Sequence, residues 1–194
     1  MPRFAADGRP NFAELYEVAQ NQEGLFTTEQ AKAAGYSGRL LAHYVQTGKF
    51  SRLARGIYRM VHFPPGEHED LVALWLWSER QGVFSHETAL LLLGLSDALP
   101  GRVHLTLPLS WQGRRLKTPS VVAIHHADVA ADERAWSSAV PVTKSARTVN
   151  DCAQDHVAPD LVAQALKQGF ERGIFRRDAV GQARAYVATY GKGE

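Results

Sequence analysis

Residues Thr27–Met60 read TTEQAKAAGYSGRLLAHYVQTGKFSRLARGIYRM, and the order of elements within this stretch decides the fold. Thr27 is placed to cap a helix, and Gln30, three residues on, holds the capping-box position. That short helix stops at Gly35, a natural C-terminal glycine. Ser37 opens a second helix over residues 38–47, in which Leu41 and Val45 lie one turn apart. Two short extended runs follow, 50–53 and 56–60, split by Ala54-Arg55-Gly56 as a hairpin turn. Upstream, residues 11–22 carry Phe12, Leu15, Tyr16 and Ala19 at helical spacing, with Asn11 as N-cap. Helix, short helix, glycine turn, helix and hairpin is the order of a winged helix-turn-helix, whose second paired helix enters the major groove of DNA.

Charge sharpens this reading. The 194-residue chain has a net charge of only +2, yet no carboxylate lies between Glu29 and Glu67, where Lys32, Arg39, Lys49, Arg52, Arg55 and Arg59 all fall. The rest of the chain is near balance. Concentrated positive charge is the footprint of a polyanion binder, though a solvated surface facing no polyanion can look the same. If Leu40, Leu41 and Val45 face the core, then Arg39, His43, Gln46 and Lys49 are left on or near the outer face. Arg pairs bidentately with guanine and Gln with adenine. Tyr44 either packs inside or touches a phosphate. Phe50, Leu53, Ile57 and Tyr58 are expected to seat the hairpin, leaving Arg52, Arg55 and Arg59 toward backbone phosphates.

Past Met60, the tandem prolines 64–65 read as a linker, so residues 1–62 form the DNA-binding domain and residues 67–194 a C-terminal α/β domain. The fold class is therefore α+β. Residues 67–80 form a helix apolar almost all round, which argues burial on several sides. Ser85 is a good N-cap for a helix running to Leu95. Residues 102–107 alternate strictly, with Val103, Leu105 and Leu107 on one face, and 121–124 and 140–142 read as further strands. Trp111–Lys117 (WQGRRLK) reads as a basic hairpin tip between the first two strands. Thr143 caps a helix over 144–154, and residues 160–172 and 177–189 form amphipathic helices.

Catalytic patterns fail on inspection, so the chain is not expected to be an enzyme and no cofactor is called for. Ser85-His86-Glu87 begins like a zinc-protease helix, but the second histidine would fall at Leu90. Gly35-Tyr36-Ser37-Gly38-Arg39 has arginine where a nucleophile elbow needs glycine. There is no phosphate-binding GxxxxGK[ST] loop, and no carboxylate precedes a lysine by two residues. His125-His126 is the one adjacent histidine pair, and strand neighbours point to opposite faces, so no metal site is expected. Arg147 and Asp151 are four apart on one helix. They read either as a structural ion pair or as part of a partner site. A partner surface is also conceivable at Trp75 and Trp77, or at Arg114 and Arg115.

One cysteine in the chain fits a reducing compartment. The opening MPRFAADGRP carries no apolar run of the kind a signal peptide needs, and the longest apolar stretch, residues 71–77, is far short of a membrane span. A cytoplasmic location is expected, with no membrane partner.

The sequence resembles the AbiEi antitoxins, the regulator half of bacterial AbiE-type (type IV) toxin–antitoxin pairs. The resemblance rests on GLFTTEQAKAAGYS (24–37), GKFSRLARGIYRM (48–60), SHETALLLLGL (85–95), VHLTLP (103–108) and VTKSARTVNDCA (142–153), in family order. It implies a winged-helix N-terminal domain that represses the protein's own operon by binding inverted repeats in the promoter. It implies DNA contacts at Thr27, Thr28, the helix from Ser37 to Lys49, and Arg52, Arg55 and Arg59. It also implies that the C-terminal domain counters a nucleotidyltransferase toxin, directly or indirectly. A stand-alone regulator, or an interaction module with no toxin, is the other reading.

Overall fold

A computed structural model describes residues 10–190. It is a mixed α+β chain that divides into two compact units, residues 1–80 and 81–194. The first unit runs α1 (Phe12–Gln20), β1 (Leu25–Thr27), α2 (Thr28–Ala33), α3 (Gly38–Gln46), β2 (Phe50–Ala54), β3 (Ile57–Met60) and α4 (Glu69–Trp77). Its three strands pair antiparallel in the order β1-β3-β2. The helix starts follow the sequence signals closely. Asn11 Oδ1 accepts from Glu14 N–H, Thr27 and Gln30 form a reciprocal capping box, and Ser37 accepts from Leu40 N–H. Each such cap contributes on the order of 1 kcal/mol.

Two features of this unit depart from the expectations. Strand β1 is not signalled, because three residues are too few to show a period. It exists because Phe26 fills the core at 0% exposure, stacked on Tyr58 and edge-on to Phe50 at 4.9 Å between ring centroids. Leu53, expected to seat the hairpin, is exposed. The register passes from Arg52↔Tyr58 to Ala54↔Ile57, so Leu53 is the extra residue of a β-bulge and has no place on the packed face.

The boundary also moves. The apolar helix placed with the C-terminal domain is α4, which belongs to the first unit. His68 N–H donates to Glu23 Oε2 at 2.9 Å, and Glu69 pairs with Arg59, so the helix is tied to the turn between α1 and β1 and to β3 across the proline linker. Gly24 makes the adjoining corner. Its φ is +84°, and a Cβ there would lie 2.7 Å from the Phe63 ring. Gly24→Ala is therefore expected to destabilise the first unit by about 2–4 kcal/mol, from left-handed strain plus overpacking. Chemical denaturation followed by amide exchange of β1 and β3 measures this, and a change below about 1 kcal/mol would mean the corner relaxes freely.

The second unit holds β4 (Val83–Phe84), α5 (His86–Leu92), β5 (Val103–Leu107), β6 (Val122–His126), β7 (Arg134–Ser137), β8 (Val140–Thr143), α6 (Ser145–Gln154), α7 (Pro159–Glu171) and α8 (Gly181–Tyr190). The sheet order is β6-β5-β4-β8-β7. Strands β5 and β6 are parallel, with Thr106 opposite His125, so residues 108–121 form a crossover and not the expected hairpin tip. The last helix begins as a 3-10 turn over Arg177–Val180 before α8. Leu90, Leu95, Val149, Val162 and Ala165 form the core between α5, α6 and α7. Burial pushes the Cys152 thiol well above its ordinary range, which makes it an inert core residue.

Candidate functional site

In the first unit, α3 splits cleanly into two faces. Leu41 is buried, while Leu40 and Val45 are partly buried against the same core. Arg39, His43 and Gln46, at i, i+4 and i+7, are all exposed. Lys49 follows the helix, its ammonium 4.8 Å from the centre of the Tyr44 ring. Tyr44 itself is half-buried and meets Phe50 edge-on at 5.3 Å, so its ring belongs to the packing. The hairpin turn is anchored beside this helix pair, because Thr28 N–H donates to Gly56 O at 2.9 Å. Arg52 and Arg55 are exposed on the hairpin, with Arg52 Nε donating to Ala54 O at 3.3 Å.

Not every candidate shares this surface. Arg59, expected to face phosphates, instead turns inward to β3 and α4. It pairs with Glu69, and its guanidinium also donates to Met60 O at 3.1 Å and Phe63 O at 2.9 Å. The charge balance failed to show this because Glu69 lies past the linker in sequence. Thr27 and Ser37 spend their side-chain oxygens on helix caps. Trp75 and Trp77 are partly buried on α4. Arg114 stacks over Trp111 at 4.1 Å, and Arg115 is exposed on the crossover.

The second unit contains a polar cluster that sequence reading missed. His104 and Thr106 lie on the face of β5 opposite Leu105 and Leu107, and His125 shares that face from β6. Strict alternation marked this face as solvent-exposed, but α5 and α6 cover it. His86, the first residue of α5, adopts φ +50° and is 5% exposed. Its ring stacks on His125 at 3.7 Å between centroids. Ser85 does not cap α5 with its side chain. Its Oγ meets His86 Nδ1 at 2.9 Å and accepts from Thr106 Oγ1 at 2.7 Å. Asp155 Oδ2 lies 3.1 Å from His86 Nε2 and 3.0 Å from His125 Nδ1. His104 bridges His125 and Glu87, at 2.9 and 3.3 Å.

Burial, with His125 nearby, pushes His86 down to about 3 against the pull of Asp155. Burial likewise lowers His104 and His125 below the ordinary histidine range. Arg147 sits at the rim of the same cavity of about 270 Å³. Its Nη1 donates to both carboxylate oxygens of Glu133 at 3.0 Å and its Nε to Asp151 Oδ1 at 2.7 Å, and this ion-pair net ties α6 to the turn before β7. The structural reading of the Arg147–Asp151 pair accounts for these bonds.

Part of the first unit matches a known family in sequence. Residues 13–61 match the family described as transcriptional regulator, AbiEi antitoxin. No curated protein matches the chain. Among solved structures, similarity is found to the crystal structure of RV2827C protein from Mycobacterium tuberculosis, at a TM-score of 0.41 and 16% identity over 93% of this chain and 81% of that one. The AbiEi match covers α1 through β3, the stretch whose helix order was read from caps and glycines. Among the described residues, no helix is long and apolar enough to cross a membrane.

Proposed function

We propose that this chain is a DNA-binding antitoxin that represses its own toxin–antitoxin operon, with its first unit acting as a winged helix-turn-helix. The observation that carries the reading is the exposed row Arg39, His43 and Gln46 on α3, flanked by Lys49, Arg52 and Arg55 in a segment without carboxylates. The AbiEi match over the same residues supports it. In this reading α3 enters the major groove and its side chains meet base edges. The hairpin carries Arg52 and Arg55 to phosphates, where they position the protein without reading sequence. Thr28, held against the hairpin turn, sits where a backbone phosphate passes. Arg59 takes no phosphate and holds the hairpin to α4.

Fluorescence anisotropy with the protein's own upstream DNA, containing inverted repeats, tests the reading. Arg39→Ala is expected to cost about 1–3 kcal/mol of discrimination between that site and scrambled DNA. Arg55→Ala should weaken binding to all sequences alike and reduce the salt slope by about one unit. Arg59→Ala should leave the slope unchanged and lower stability. Absence of sequence-selective binding by the wild-type chain overturns the proposal.

The antitoxin half of the proposal rests on the second unit and is tested separately. Co-expression with the product of the adjacent gene, expected to be a nucleotidyltransferase, should restore growth that the toxin alone arrests. The AbiEi match lies wholly within the first unit, which favours a stand-alone regulator if rescue fails while DNA binding persists. The reading assigns the chain a binding role in the cytoplasm, without catalysis.

A further inference from the structure

We propose that His86, His125 and Asp155 bind a first-row divalent transition metal, with zinc the best fit, and that His104 is the positioning residue behind His125. No metal site was expected from the sequence, because the one adjacent pair, His125-His126, sits on a strand whose neighbours point to opposite faces. In the fold, one ring nitrogen from each of His86, His104 and His125 lies within 4.8 Å of the others. Asp155 closes the group, its Oδ2 at 3.0 Å from His125 Nδ1 and 3.1 Å from His86 Nε2.

A cation beside Asp155 is compatible with the hydrogen bonds around it, because the ring tautomers can turn two lone pairs toward that point while the other ring nitrogens keep their partners. His104 Nε2–H then donates to Glu87, His125 Nε2–H to His104 Nδ1, and His86 Nδ1–H to Ser85 Oγ. The remaining lone pairs, His125 Nδ1 and His86 Nε2, turn toward the ion with the Asp155 carboxylate. Each ligating histidine thereby donates its other N–H to a fixed acceptor, which is the outer-shell pattern of histidine–metal sites.

The donor set suits the ion. Two imidazole nitrogens and one carboxylate oxygen favour zinc and its neighbours over magnesium or calcium, which take mainly oxygen. Bonds of about 2.0–2.1 Å place tetrahedral ligand atoms about 3.3–3.4 Å apart, a few tenths of an ångström wider than the present spacings around Asp155. Binding therefore spreads the group and tilts the His86 and His125 rings out of their 16° stack. The ion's fourth position opens onto the 270 Å³ cavity lined by Thr106, His126, Arg147 and Gln154. A site with three protein ligands and one open position admits an exchangeable ligand. The left-handed backbone of His86 is a further mark of a built site, since such strain gathers where a side chain must be held in place.

The test uses the full chain, stripped with EDTA and titrated with zinc chloride by calorimetry, with magnesium chloride in parallel. Cobalt substitution, read by visible absorption, reports the coordination. One zinc per chain is expected, bound far more tightly than magnesium. Asp155→Asn and His125→Ala should each weaken zinc by about 100-fold or more, and His104→Ala by about 10–100-fold. His62→Ala, in the first unit, should have no effect. Asp155 is half-exposed, so its variant is expected to fold, and circular dichroism checks this. Zinc binding unaffected by Asp155→Asn and His125→Ala, equal binding of magnesium, or no binding to the wild-type chain overturns the proposal.

Discussion

Phe26→Ala is expected to destabilise the first unit by about 3–5 kcal/mol, the range for emptying a buried phenylalanine site. Phe26 has no solvent exposure and packs against both Phe50 and Tyr58, one ring from each hairpin strand. Removing its ring leaves a cavity between β1 and the hairpin, and the aromatic contacts of Phe50 lose their centre. Those rings cannot collapse inward freely, because Phe50 also touches Tyr36 and Tyr44, which hold it toward α3. At a stability typical of small domains, such a loss brings the unit close to unfolding. Denaturant titration followed by amide exchange of β1 to β3 measures the change. DNA affinity should fall with it, although Phe26 touches no DNA in the proposed pose. A loss below about 1 kcal/mol would show that β1 does not organise the core.

The second unit of the metal-free chain is expected to lose stability as pH falls below about 6.5, the unfolded histidine value. His86, His104 and His125 are all held below that value when folded, His86 at about 3. Between the folded and unfolded values, the unfolded chain binds more protons than the native one, so stability rises with pH through this window. It is fully present above the unfolded value and is lost on acidification. Each proton in excess contributes a slope of about 1.4 kcal/mol per pH unit. His86 alone gives a loss on the order of 2 kcal/mol between pH 6.5 and 5, and His104 and His125 add to it in the same direction. Asp155, Glu87 and Asp151 pull the ring values back up and moderate this slope, whereas Arg102 and His126 push them further down and steepen it. Asp151 is raised by burial against the pull of Arg147, and its contribution has the opposite sign at the acid end. Denaturation at pH 7.5, 6 and 5 with EDTA present checks the prediction, read by exchange of the β5 and β6 amides. A flat profile would mean that the histidines titrate in the fold as they do in the unfolded chain. His104→Asn should flatten the slope.

Much of the first unit was legible because its signals are local. Asn11, Thr27 and Ser37 cap helices through bonds spanning three residues, and Gly35, Gly48 and Gly56 adopt positive φ where chain reversal was read. The outer face of α3 followed from the helical period, and Arg39, His43 and Gln46 are exposed as that period requires. What failed was non-local. Strand β1 depends on pairing with β3, α4 joins the first unit through the Arg59–Glu69 pair, and Leu53 leaves the core because of a bulge.

The same division separates the two sites. Composition and spacing alone determined where the positive charge lies, which helix carries it outward, and that no local catalytic motif is present. Those properties depend on residues within a turn or two of one another. Only the tertiary structure decided that His86, His104, His125 and Asp155 meet. They lie on α5, β5, β6 and the end of α6, and parallel pairing of β5 with β6 fixes their register. A parallel pair leaves no turn between its strands for a sequence to announce. Its register comes from sheet hydrogen bonds and from burial of the opposite face, so side chains 69 residues apart, from 86 to 155, are brought together by packing.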